Sequence, residues 1–190
     1  MKKIFLSFVF SAIAVLSTSA AFSATIPALG WPVDKTASNP IVKGFGYANP
    51  FHGVGRVHYT LLMVGVDIKA NAGDRVLASE PGTVSFVMPD FGTTSGYVVL
   101  SHVDKMGSSY TTLYGNLTSI DVKPGDSVVK GQQLADVYDF GANSAVHFGV
   151  RNAPYSFGAS TLSYLYSYYA PSSNSVKVNY PELWIVPTFE

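Results

Sequence analysis

The sequence predicts an all-β fold, and three observations carry that prediction. Short runs rich in Val, Thr, Tyr and Phe recur through the centre of the chain. Clusters of Gly, Pro, Asp and Asn separate them at intervals typical of turns. No long stretch sustains the 3.6-residue apolar period of an amphipathic helix. Tyr and Phe number 12 each while charged residues are only 13% of the chain, a balance that suits a half-buried pleated surface.

Taken in order, the expected strands are Val76–Ala78, Gly82–Val87, Gly96–His102, Ser109–Tyr114, Gln133–Val137 and Ala145–Val150. Thr161–Tyr169 reads equally as a short helix or an aromatic strand. In the last central strand, alternation puts Val146, Phe148 and Val150 on one face and Ala145, His147 and Gly149 on the other. The apolar trio is assigned to the core, so His147 faces away from it. Two segments echo each other: Ala72-Gly73-Asp74-Arg75-Val76-Leu77-Ala78 and Pro124-Gly125-Asp126-Ser127-Val128-Val129-Lys130. Each is a Gly-Asp turn opening into a β-branched run. Gly supplies the positive φ such a turn needs, and Asp can accept from the local backbone.

The first 24 residues read as a secretory signal peptide, with Lys2 and Lys3 as the basic start, Ile4–Leu16 as the apolar stretch and Ala21-Phe22-Ser23 as the cleavage site. The apolar stretch is short for a membrane span, which takes about 20 residues. The expected product is periplasmic or secreted, without membrane insertion. It is divided into an N-terminal arm (25–43), a core domain (44–153) and a Tyr-rich C-terminal extension (154–190). There is no Cys, so no disulfide or lipid-modified Cys contributes. With Lys2 and Lys3 removed, 12 acidic side chains face 10 basic ones, and no basic run exists. Nucleic acid as a partner has no electrostatic footprint here.

Two short motifs concentrate the chemistry. Met63-Val64-Gly65-Val66-Asp67 resembles His-x-Gly-x-Asp, and Ala145-Val146-His147 resembles His-x-His. These are the metal-binding strands of the lysostaphin/LytM-type zinc metallopeptidases, which cut peptide cross-bridges in bacterial cell walls. The likeness runs in order through Gly44-Phe45-Gly46-Tyr47, the first Gly-Asp turn, Val99-Leu100-Ser101-His102, Tyr114-Gly115-Asn116-Leu117, the second Gly-Asp turn and Tyr180-Pro181-Glu182-Leu183-Trp184. It implies a duplicated hybrid-motif core of barrel or sandwich type.

In active relatives, the resemblance implies, zinc is held by the first His, the Asp and the last His of the pair. The first His of the pair is the general base, and a further His stabilises the charged intermediate. Here those five positions are Met63, Asp67, His147, Ala145 and Asn116. A catalytic zinc takes three protein ligands plus water. Met63 offers only a neutral thioether and is read as an apolar residue filling the metal cavity. Ala145 accepts no proton, and loss of a general base typically costs about 10²–10⁴-fold. Asn116 can donate a hydrogen bond but carries no charge. The expectation is a catalytically inactive domain with no zinc cofactor and no catalytic residue. Asp67 and His147 are expected to survive as a hydrogen-bonded pair.

Asp67, His102, Asn116 and His147 are assigned to the groove; His102, outside the five-residue set, is expected to hold a structural hydrogen bond. His52 and His58 are read as lying in the loop before Met63, where spacing does not favour either as a replacement ligand. The Gly141–Ser144 loop is shorter than the usual one before the His pair. The tail aromatics Tyr155, Tyr164, Tyr166, Tyr168, Tyr169, Tyr180 and Trp184 are suited to packing over the core, and also to stacking on sugars or anchoring a protein partner. The expected role is regulatory, with peptidoglycan peptide or a cell-wall hydrolase as partner. The alternatives are a zinc endopeptidase with a rebuilt site and a purely structural secreted protein.

Overall fold

A computed structural model describes residues 24–34, 41–44, 48–52, 58–63, 65–155, 168–169 and 184–190, with the backbone alone at 48–52, 58–63 and 168–169. The strands are β1 (Ile41–Lys43), β2 (Ala48–His52), β3 (His58–Met63), β4 (Val66–Lys69), β5 (Arg75–Leu77), β6 (Gly82–Met88) and β7 (Gly96–Val103). They continue with β8 (Ser109–Thr118), β9 (Ser127–Val128), β10 (Gln133–Val137), β11 (Ala145–Arg151), β12 (Tyr168–Tyr169) and β13 (Trp184–Ile185). No α-helix occurs among the described residues; one 3-10 turn, Gly141–Asn143, precedes β11. The all-β expectation holds.

Ten strands form one open antiparallel sheet, whose main path runs β1-β4-β11-β8-β7-β6-β9; β10 joins β8 to β5, and β13 pairs with β11. A second sheet has the order β12-β3-β2. His52 and His58 are register partners at the ends of β2 and β3, so they belong to strands rather than to the expected loop before Met63. Of Thr161–Tyr169, only Tyr168–Tyr169 is described, as a strand beside Met63 and Leu62.

The two Gly-Asp turns have the same construction. Gly73 and Gly125 take φ of +80° and +94°, where a Cβ is disfavoured. Asp74 N–H donates to Asn71 O at 3.1 Å, and its carboxylate accepts from Asn71 N–H at 2.7 Å. Asp126 N–H donates to Lys123 O at 3.1 Å and its carboxylate accepts from Lys123 N–H at 3.0 Å. The echo in sequence is an echo in backbone geometry.

Central strands β7, β8 and β11 are covered on both faces. One face carries the main core, where Val98, Leu100, Tyr114, Val146, Phe148 and Val150 meet. The opposite face holds a smaller cluster of Val99, Leu113 and Trp184, with Phe86, Tyr97 and Tyr155 packed against it. Apolar burial of this kind stabilises by roughly 25 cal/mol per Å² removed from water. Leu29 and Val33, from the stretch before β1, are fully enclosed in the main core. The two ends of the described chain meet there: Leu29 N–H donates to Thr188 O at 2.8 Å, and Trp31 stacks on Phe189 at 4.4 Å.

Candidate functional site

Register decides what the site contains. Lys43 of β1 lies opposite Asp67 of β4, Asp67 opposite His147 of β11, His147 opposite Gly115 of β8, and Gly115 opposite Tyr97 of β7. Directly opposed residues of an antiparallel pair share a face. One row therefore crosses five strands as Lys43-Asp67-His147-Gly115-Tyr97, away from the main core. The expectation that Asp67 and His147 come together is met by this pairing.

His147 Nδ1 lies 2.8 Å from Asp67 Oδ1, with the two residues only 4% and 7% exposed. Lys43 Nζ lies 3.2 Å from Asp67 Oδ2. Burial pushes the Asp67 carboxyl up, but the hydrogen bond and charge of His147 together with the Lys43 ammonium outweigh it. The net effect holds Asp67 below the ordinary carboxylate value. An ionised Asp67 has no proton to give, so Nδ1–H of His147 donates. His147 Nε2 is buried and has no hydrogen-bond partner among the described residues.

The small residues of the motifs have a steric reason. A Cβ on Gly65 would stand 2.6 Å from Phe148 O and 2.8 Å from His147 Nε2, so the imidazole lies directly over this backbone. A Cβ on Gly115 would stand 2.8 Å from Tyr97 Cε1. Glycine at both positions leaves the room that the rings of His147 and Tyr97 occupy.

Asn116 is placed differently from the groove donor expected of it. Its φ is +64°, a conformation Asn tolerates better than most residues with a Cβ. There β8 turns away from β11 towards β10. Its Nδ2 donates to Ala145 O at 3.0 Å, closing the gap that the bend opens. The amide is committed to the backbone of β11. Ala145 itself is buried.

His102 does not join the row. It stands five residues along β7 from Tyr97 and faces the main core. Its Nδ1 donates to Pro81 O at 2.8 Å, Nε2 accepts from Thr112 Oγ1 at 2.8 Å, and the ring stacks on Tyr110 at 4.7 Å. Burial pushes its pKa down, against the opposing pulls of the Pro81 carbonyl and the Glu80 charge. The structural hydrogen bond expected of His102 is present; its place in the groove is not.

Two donors, Asp67 and His147, lie where a metal would need three, and the carboxylate already carries an ammonium. No group of three or more His, Cys, Asp or Glu able to hold a metal converges among the described residues. The expected plug, Met63, sits at the end of β3, where the side chain lies outside the described residues. Sequence reasoning missed Lys43. Its signal is a register, Lys43 opposite Asp67, that no local pattern in Ile41-Val42-Lys43 encodes.

The model of Peptidase family M23 matches residues 62–158, just over half of the chain, and the protein belongs to that family. An uncharacterized metalloprotease of Haemophilus influenzae is 35% identical over 83 residues, covering 44% of this chain and 17% of the relative. The cell division protein DipM of Caulobacter vibrioides is 32% identical over 92 residues, covering 47% and 14%. The chain thus matches less than a fifth of the length of these curated relatives. Among solved structures, a zinc-containing peptidase from Vibrio cholerae is 30% identical with a TM-score of 0.50, covering 68% of this chain and 39% of that one.

Proposed function

We propose that this M23 chain is a non-hydrolysing domain of the cell envelope. It acts in a regulatory role by binding a peptidoglycan peptide or a cell-wall hydrolase. The observation that carries the reading is the state of Asp67, whose two oxygens are taken by His147 and Lys43. The remaining donors do not fit a catalytic zinc, which takes three protein ligands and keeps an open position. Without the metal no water is activated. The position of the base is a buried Ala145, and Asn116 donates to the Ala145 carbonyl instead of facing a substrate oxyanion. The likeness to a cell division protein supports an envelope role, and the basic, apolar N-terminus supports export to the periplasm or beyond.

The test uses the purified chain with purified peptidoglycan, with and without added zinc, and elemental analysis after dialysis. The expected outcome is no released peptide and no stoichiometric zinc. In the same assay a separate cell-wall hydrolase should change its rate when the chain is added. Chelator-sensitive release of peptide by the chain alone would overturn the reading in favour of a zinc endopeptidase.

A further inference from the structure

Asp67 is a buried carboxylate, and a buried charge is costly unless it is paired. In an active relative the metal would supply the positive charge. Here a side chain does so, and its place is set by the backbone. β1 pairs with β4 so that Lys43 stands directly opposite Asp67. The ammonium reaches Oδ2 at 3.2 Å, on the side of the carboxylate that His147 leaves open. The Lys43 side chain is 43% exposed while that of Asp67 is 10% exposed, so the ammonium reaches the acid from the solvent side.

We infer that Lys43 is a built-in replacement for the family's metal cation. Its ammonium neutralises Asp67, and the Lys43–Asp67–His147 clasp ties β1 and β11 to β4 without any ion. A dication arriving at Asp67 would meet this ammonium on the same carboxylate and would have to displace it. The clasp explains how this strand pair keeps its geometry although the third family ligand position is Met63. It goes beyond the proposed binding role and holds whichever partner is bound.

A double-mutant cycle on the full chain, read by chemical denaturation, tests the clasp. Lys43→Met is expected to lower the folding equilibrium constant about two- to fivefold in the wild-type background, the range of a partly exposed ion pair. In the Asp67→Asn background the same change should cost less than about 1.5-fold, because the charge it served is gone. Equal losses in the two backgrounds would overturn the inference. Lys43→Arg, which keeps the charge and perturbs the fold least, is expected within about twofold of wild type; a loss as large as that of Lys43→Met would overturn it as well. None of these readouts involves hydrolysis or a partner, so the clasp can fail while the binding role stands.

Discussion

Two buried histidines on opposite faces of one sheet show how differently the same side chain is used. His102 has both ring nitrogens bonded to uncharged groups, Pro81 O and Thr112 Oγ1, and a tyrosine stacked on its ring. It braces β7 against β8 and the turn before β6. His147 has one nitrogen on an ionised carboxylate and the other without a partner among the described residues. A buried polar atom left unpaired is costly, and a brace has no need of one. His147 is instead held by an acid on one side, with its second nitrogen left over on the other. The difference lies in the partner and the leftover atom, since the two residues are equally buried.

That contrast can be broken at each end. Asp67→Ala should cause the larger loss, about 3 kcal/mol, because it leaves the buried His147 ring without its acid and facing a gap, while the Lys43 head returns to water. His102→Ala removes two hydrogen bonds and a stacked ring and should cost about 2 kcal/mol. Urea denaturation of both variants measures the pair; a greater loss at His102 would show that the brace, not the charged row, dominates this sheet.

Gly65→Ala should cost about 2 kcal/mol by overpacking, since its Cβ would meet the Phe148 carbonyl at 2.6 Å and neither the strand nor the His147 ring can move freely. A thermal midpoint unchanged from wild type would mean that the ring over Gly65 is loosely held.

The pH dependence sharpens the contrast further. Burial lowers the pKa of His102 in the folded state below its value of 6.5 in the unfolded chain. The unfolded state therefore binds the proton first as pH falls. The stability contributed by the neutral ring is fully present above about pH 6.5 and is lost as pH drops through the folded value. Stability measured at pH 7.5 and 5 should fall more in wild type than in His102→Asn. Equal falls would place the acid sensitivity elsewhere.

The smallest expected effect is at Asn116. Asn116→Ala should cost about 1 kcal/mol, from the positive φ and the lost bond to Ala145 O, while Asn116→Gly relieves the first and loses only the second. Comparing the two variants by calorimetry separates strain from hydrogen bonding; identical losses would show that φ contributes nothing.

Much of this was legible in the chain of residues. Alternation in Ala145–Val150 separates core-facing Val146, Phe148 and Val150 from His147, because a strand repeats every two residues. The Gly-Asp turns announce themselves because the positive φ at Gly73 and Gly125 is a local requirement written in a local residue. The resemblance of two short motifs to a family's metal-binding strands brought Asp67 to His147 across 80 positions of sequence. Tertiary structure alone decided the rest. Alternation puts His102 and Tyr97 on opposite faces of β7, but which of those faces meets the main core is decided by the packing of the whole sheet. The role of Asn116 depends on where β8 bends. Lys43 is a member of the site only because a three-residue strand pairs with β4 through a register shift between Ile41 and Lys43. Local sequence encodes conformations a residue and its neighbours can adopt. Register across strands is set by the whole sheet, and it placed the cation.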